Sequence, residues 1–416
     1  MNGLWRSLGV LVLSAWAATQ SAAALTGKVM NAETQAPLAG ATVTLGTQVV
    51  STGSDGSFDI TGDGTRLLVR APGFVRLDLP MEGMGDEAAA IALKPLDVRA
   101  LYLSVYGIAS SKLRDGAMDL IRQGHANALV IDVKDDRSQV PFKVALPMAA
   151  EIGAQQLITI RDIKGLLSGL REQGIYTIAR IVVFKDDKLA AAHPEWTVRL
   201  KSGQPFRDRE RLRWMDPFRH QVWDYNIAIA KEAAEAGFDE VQFDYVRFPD
   251  SKNGVFSQPA TVDSRTDAIT GFLLAARTAL APANVFTSAN IFGYVCWNSN
   301  DTDIGQKIGH VAGAVDIVSP MLYPSGFKFG IPGFRNPVQH SYEIIHETLK
   351  RCQERAQVSP LRFRPWLQAF RDYAFGGQAF GEAGLLQQVK GAADAGTGSY
   401  LVWNPRNVYP PGGYRP

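Results

Sequence analysis

Residues 238–250 read FDEVQFDYVRFPD, and the fold can be read outward from them. The segment 240–245 has the length of a strand, follows an apolar pattern of helical spacing over 219–236, and runs into a Phe248-Pro249 turn. Side chains alternate between the two faces of a strand, so Gln242 and Asp244 share one face and Val241, Phe243 and Tyr245 the other. The apolar set suits packing beneath helices. The other face then carries a carboxylate at the C-terminal tip of the strand, a parity that a carboxylate capping a turn would not need.

The same rhythm extends in both directions. Strand-like runs lie at 100–105, 128–133, 175–184, 240–245, 284–291, 316–323, 362–370 and 399–403. Helix-like runs fall between them at 112–123, 157–173, 219–236, 268–281, 303–310, 338–353 and 382–395. Eight strands alternating with helices, with the chain closing on the eighth strand, predict a parallel (β/α)8 TIM barrel over residues 97–416. An open doubly wound sheet is the competitor, but no Gly-rich phosphate turn follows the first strand. An insertion at 193–216, with Trp196, Trp214 and a hairpin centred on Gly203, lengthens the connection after the third strand.

In such a barrel, function gathers at the C-terminal strand ends. The second strand, ALVIDVKDD, places Asp132 and Lys134 on the inward parity, with Asp135 and Asp136 just beyond. Lys134 is read equally well as a site residue and as half of a buried ion pair. Arg180 is embedded in the apolar third strand, where a charge requires a partner, and Asp132 or Asp244 would supply it. Such pairing would keep the carboxylate ionised. Arg247 follows Asp244 closely enough to contribute to the same effect. Around the rim the sequence offers Tyr102, Asn290, Tyr323, Trp366, Gln368, Asp372 and Trp403.

Residues 25–96 have a different character. Strand-length runs at 26–30, 41–45, 48–52, 57–60, 66–70 and 74–79 are punctuated by turns and carry no helical pattern, which predicts a small all-β sandwich. Residues 81–90 form the boundary region. At the N-terminus, Arg6 precedes an apolar run over 8–18, and Ala22-Ala23-Ala24 fits a cleavage site. That pattern predicts a signal peptide over 1–24 and an exported protein, periplasmic or secreted, because the run is shorter than the ~20 residues a span needs. No later segment is apolar enough to span a bilayer, so no membrane span is expected in the mature chain.

The balance of 43 basic and 41 acidic residues provides no basic face for nucleic acid, and none is expected as a partner. With two cysteines, no CxxC and six histidines outside ligand spacing, no cofactor or metal is expected. Cys296 and Cys352 are equally compatible with a disulfide and with two buried thiols.

Two resemblances add to this reading. TGKVMNAETQAPLAGATVTLGTQVVSTGSDGSFDI is similar to the carboxypeptidase regulatory-like domain, a β-sandwich appended to exported bacterial proteins; it implies a spacer or a carbohydrate-contacting module. ALYLSVYGIAS, ALVIDVKDD, IYTIARIVVFKDD, FDEVQFDYVRFP, VSPMLYPSGF and GSYLVWNPRN, in that order, resemble the bacterial "putative glycosyl hydrolase domain" family. That resemblance implies a TIM-type barrel related to retaining polysaccharide hydrolases, with Asp244 as nucleophile. The substrate would be a polysaccharide or cell-envelope glycan. A glycosidase needs a second carboxyl group. Asp132 is the first candidate for the acid, with Asp135, Asp136 and Asp372 in reserve, since Asn290 stands where related barrels carry an acid. Tyr102, Lys134, Arg180, Gln242, Tyr245, Arg247, Asn290, Tyr323 and Trp403 would contact the sugar. The alternatives are a non-catalytic glycan-binding protein and a metal-dependent hydrolase using Asp132, Asp135, Asp136 and Asp244.

Overall fold

The computed structural model describes residues 23–84, 89–251 and 253–415. The expected leader lies outside the described residues up to residue 22, and Ala23 and Ala24 belong to the first strand. The strands of the N-terminal region are β1 (Ala23–Asn31), β2 (Thr42–Leu45), β3 (Gln48–Ser51), β4 (Ser57–Gly62), β5 (Arg66–Arg70), β6 (Leu77–Pro80) and β7 (Ala89–Leu93). They form a three-stranded sheet, β4-β1-β7, and a four-stranded sheet, β3-β2-β5-β6. Val29, Val43, Leu45, Leu67, Val69 and Leu93 pack between the two sheets with no exposure.

Two details differ from the sequence reading. The strand expected at 74–79 forms later, as β6, while Phe74 makes an isolated bridge to Pro95 after the Pro72-Gly73 turn. The boundary region 81–90 runs into β7, which pairs parallel to β1 with Val29 opposite Ile91. Among the side chains described there, Ile91 and Leu93 alternate inward, too short a pattern to stand out in an alanine-rich run.

The barrel strands begin with β8 (Arg99–Leu103), β9 (Ala128–Lys134) and β10 (Tyr176–Val182). A short β11 (Arg199–Leu200) precedes β12 (Glu240–Asp244), and a short β13 (Gly254–Val255) precedes β14 (Phe286–Phe292). Then come β15 (Ile317–Met321), β16 (Trp366–Gln368) and β17 (Tyr400–Trp403). The eight long-range partners pair in parallel and in chain order, and β17 returns to β8 to close the barrel. The helices are α1 (Ser111–Arg122), α2 (Pro147–Glu151), α3 (Ile163–Glu172), α4 (Asp187–Ala192), α5 (His220–Ala236), α6 (Val262–Leu280), α7 (Ile308–Ala314), α8 (Ser341–Ala356) and α9 (Glu382–Asp394).

Strand parity is obeyed. Leu129, Ile131 and Val133 join the layer beneath the helices, whereas Val130, Ile178, Tyr102 and Trp366 fill the lumen. The helix before the deciding segment stops at Gly237, whose left-handed φ of 113° lets the chain turn directly into β12. Within β12, Glu240, Gln242 and Asp244 all take the inward parity and are all buried. Glu240 is bound by Arg364 at 2.5 Å and by the Tyr176 hydroxyl at 2.9 Å, low in the lumen. Gln242 lies one step higher, accepting no bond at Oε1 and reaching Ser319 at 3.3 Å. Asp244 occupies the top.

The sandwich docks at the opposite end. Arg76 pairs with Asp239 at 2.9 Å and donates to the Asn284 carbonyl at 2.8 Å; Asn284 in turn donates to the Leu77 carbonyl at 2.8 Å. Arg70, 2% exposed, lies 3.5 Å from Asp316, which also holds Arg277 at 3.2 Å. Asp239 and Asp316 immediately precede β12 and β15, and Asn284 lies two residues before β14, so these contacts mark the N-terminal mouth of the barrel. Cys296, beyond β14, is disulfide-bonded to Cys352 on α8.

Candidate active site

The top of the lumen is organised around one guanidinium. Arg180, in the interior of β10, lies beside Gln242 of β12 and Asp132 of β9 in the sheet register. Its Nη1 donates to Asp132 Oδ1 at 2.6 Å and its Nε to Asp244 Oδ2 at 2.8 Å. The two bonded oxygens are therefore less than about 8 Å apart, one guanidinium and two hydrogen bonds across. That span is compatible with the carboxyl spacing of either glycosidase stereochemistry. Arg180, Asp132 and Asp244 are 4%, 1% and 6% exposed, so their charges meet with little screening from water.

The two carboxylates differ in what else they touch. Asp132 Oδ2 accepts the Tyr102 hydroxyl at 2.6 Å, and Tyr102 stacks on Trp403 with ring centroids 3.9 Å apart. Arg180 lies 5.0 Å from the Trp403 ring centre. Burial pushes the Asp132 carboxyl up, against the pull of Arg180. The Tyr102 phenol is likewise pushed up, by burial and then by the neighbouring Asp132 charge. Asp244 keeps Oδ1 for a single contact, the Tyr245 backbone N–H at 2.7 Å. Tyr245 adopts a left-handed φ of 47°, unusual for a side-chain-bearing residue, immediately after the inward carboxylate. Burial, followed by the Asp244 charge, raises the Tyr245 and Tyr323 phenols, which stand at the tips of β12 and β15.

The remaining candidates from the sequence separate into distinct places. Asn290 is buried and accepts the Trp366 indole N–H at 2.8 Å, and Gln242 pairs in register with Ser288, two residues before it. Lys134 is not brought to Arg180. A register shift separates the Asp132 and Lys134 pairings, and the ammonium, fully buried, bonds Asp186 at 2.5 Å and lies 5.3 Å from the Tyr225 ring of α5. Asp186 also caps α4 through the Leu189 N–H, so this pair ties a strand end to a helix start. Arg247 is half-buried, stacked 4.7 Å from the Trp214 ring and 5.5 Å from that of Tyr245, and it forms no ion pair with Asp244. Asp372 accepts from the backbone N–H groups of Ala374, Phe375 and Gly377 and from Ser325 Oγ, the pattern of a loop staple.

Asp135 adjoins the central group. Burial, with help from the Asp132 and Asp136 charges, raises its carboxyl to about 7, although its own turn donates N–H groups from Arg137 and Gln139. Sequence reasoning did not single out Lys185, 2% exposed, which bonds Asp208 at 3.3 Å and Glu210 at 2.5 Å and lies 5.0 Å from the Tyr245 ring. The signal was available in the charge-dense run FRDRERLRW of the insertion. That insertion folds over the third and fourth strand ends, pairing β11 with β13 and bridging Lys185 to Trp214.

A closed parallel barrel with paired carboxylates at its C-terminal mouth has the architecture of TIM-type glycoside hydrolases. The chain belongs to the family described as "putative glycosyl hydrolase domain", whose model matches residues 100–409, and the barrel is thereby classed as a glycan-acting hydrolase. Among solved structures, it is similar to a hypothetical protein from Ruminiclostridium thermocellum at 36% identity, covering 45% of this chain and 96% of that chain, with a TM-score of 0.41. The PgaB (BpsB) glycoside hydrolase domain from Bordetella bronchiseptica is 15% identical, with 75% and 95% of the two chains covered and a TM-score of 0.53. Alpha-L-fucosidase isoenzyme 2 from Paenibacillus thiaminolyticus is 14% identical, with 77% and 48% covered and a TM-score of 0.52. The last two likenesses are of fold. No curated protein matches the chain.

Proposed function

We propose that the barrel hydrolyses glycosidic bonds in a polysaccharide or cell-envelope glycan, with Asp244 attacking or stabilising the anomeric carbon. The observation that carries this reading is the Arg180 guanidinium shared by Asp132 and Asp244 at the C-terminal mouth. Asp244 keeps one oxygen nearly free for the reacting centre, whereas both oxygens of Asp132 are engaged. Tyr245 and Tyr323 stand at the tips of β12 and β15, and Trp403 covers Tyr102 and Arg180; these rings would form the walls of a sugar cleft.

The proton for the leaving oxygen comes from the acids at the end of β9. Asp132 is the nearer member, and burial favours its protonated form. Both carboxyls are engaged, Asp135 by the Arg137 and Gln139 N–H groups and by Gln139 Nε2, and what favours Asp135 as the direct donor is its carboxyl at about 7, suited to general acid work near neutral pH. Asp132 then orients Arg180 and Tyr102. The reading extends to location: the apolar N-terminal run and the Cys296–Cys352 bond support export to an oxidising compartment. Among the described residues, no helix is long and apolar enough to cross a membrane. The sandwich contacts the mouth opposite Asp244, which supports a spacer role over a role in the cleft.

The test is reducing-sugar release across a glycan panel, comparing the native chain with Asp244→Asn. Release by the native chain, abolished in the variant while glycan binding persists, supports the assignment. Binding without release by the native chain would instead favour a non-catalytic glycan-binding protein.

A further inference from the structure

The charges around the mouth are unevenly partnered. Arg247, three residues after Asp244, is half-buried against Trp214 and Tyr245, and among the described residues its side chain makes one hydrogen bond, from Nη1 to the Phe248 carbonyl at 2.9 Å. Among the described residues no carboxylate lies within ion-pair distance of it. The acids close enough to act on it are Asp244, Asp250 and Asp208. Asp244 is bound to Arg180, Asp208 is bound to Lys185 and the Trp214 indole, and Asp250 is exposed. Burial accordingly disfavours the Arg247 charge. A guanidinium held in this way, with donors to spare and both neighbouring faces aromatic, is prepared for an oxyanion from outside the protein.

The arm at 193–216 repeats the pattern on the surface. Three of its four acids are held by protein groups, Asp208 and Glu210 by Lys185 and Asp216 by the backbone of Phe218 and Ser257, while the exposed Glu195 faces His193 at the arm's base. Arg209 and Arg211 remain exposed without an acidic partner among the described residues. Arg209 stands between Asp208 and Glu210, both bound to Lys185, whose ammonium lies 5.0 Å from the Tyr245 ring, so the arm's tip adjoins the mouth beside Asp244. The cationic character also conflicts with the proposed chemistry unless something offsets it. The glycosidase transition state is oxocarbenium-like, and an uncompensated guanidinium near it would oppose the developing charge.

We infer that the glycan is anionic, its carboxylate, sulfate or phosphate groups being taken by Arg247 beside Asp244 and by Arg209 at the tip of the arm. This inference rests on the assignment of the mouth as a glycan site. The anion neutralises Arg247, which is backed by the buried Trp214, orients the sugar ring beside Tyr245, and leaves the carboxylate of Asp244 to face the anomeric carbon.

The experiment measures binding to the full-length Asp244→Asn chain, so that no substrate is consumed. Polygalacturonate is compared with its fully methyl-esterified form, and dextran sulfate with dextran. Tighter binding of at least one anionic polymer than of its neutral counterpart, by roughly tenfold or more, is expected from a charge-assisted fork. The preferred pair tells carboxylate from sulfate. Arg247→Gln should abolish the preference, and the exposed Arg209→Gln should weaken it several-fold while leaving neutral polymers unaffected. Equal binding of charged and neutral forms overturns the inference, as does an anionic preference that persists unchanged in both arginine variants. Hydrolysis is then read separately with the native chain. Cleavage of neutral glycans without charge preference removes the inference and keeps the hydrolase reading. Arg247-dependent anion binding without cleavage does the reverse.

Discussion

Asp244 and Asp132 have the same chemistry and different surroundings, and the difference sets what each can do. Asp244→Asn removes the carboxylate whose Oδ1 faces only a backbone N–H, so activity should fall by about 10³-fold or more, while the melting temperature falls because Arg180 keeps only Asp132 as an ionic partner. Arg180→Ala is of another kind. It strands two buried carboxylates, and a loss of about 3–5 kcal/mol in unfolding free energy is expected, read by denaturant titration. A third expectation concerns pH. If Asp135 donates the proton, activity declines as pH rises through about 7, because the donor must be protonated and is not above that value. Asp135→Asn should remove that limb of the profile, whereas Asp132→Asn should lower the rate and leave the limb in place. The inward parity of Asp132 and Asp244 was legible from alternation alone. That Arg180 takes a carboxylate, Asp132 or Asp244, followed from the cost of an unpaired charge in an apolar strand; that it takes both depends on the register of three strands and was not legible. The fate of Lys134 was not legible, since it depends on a register shift after Asp132 and on an aspartate 52 residues away.

At the scale of elements, the order and type of the barrel strands were carried by period-two runs between helical patterns, and the structure follows them closely. Boundaries moved where local chemistry decides. The helix expected at 157–173 starts at Ile163 because the Asp162 side chain caps it at Gly165. The helix expected at 268–281 starts at Val262, where Thr261 and Ser264 form a capping box. The strand expected at 362–370 is reduced to Trp366–Gln368, since Arg364 turns to Glu240 and Gln368 to Ser325 and Gln388. Cys296 and Cys352 came together because α8 returns its buried face to the turn after β14, a contact no local pattern reports. Their bond closes a 56-residue separation, and its reduction should cost about 2–5 kcal/mol of stability, seen as a lower melting temperature under reductant.

For the whole molecule, the sandwich and the barrel were each readable, but their attachment was not. It depends on Arg70 and Arg76 meeting Asp316 and Asp239 across more than 160 residues of sequence. Arg70→Ala leaves Asp316 with Arg277 alone, so a loss of about 3 kcal/mol is expected rather than complete undocking. Burial alone would raise the Asp316 carboxyl, but Arg70 and Arg277 overcome it and hold the group below its ordinary value of 3.8. A carboxyl lowered in the folded state contributes stability above its unfolded value and loses it as pH falls through the folded one. The native chain should therefore lose stability below pH 3.8, and Arg70→Ala should show less of that acid-dependent loss in melts at pH 3 and pH 6. Docking at the N-terminal mouth leaves the C-terminal mouth open to a polymer.

The claim that binds these scales together is that Asp244 cleaves a glycan at that mouth. The most direct measurement is product release from a panel of neutral and acidic polysaccharides by the native chain and by Asp244→Asn, with binding of each polymer measured in parallel. The account predicts release by the native chain on at least one polymer, and retained binding with release lowered about 10³-fold or more in the variant. Undiminished release by Asp244→Asn would contradict it, as would binding without release by the native chain.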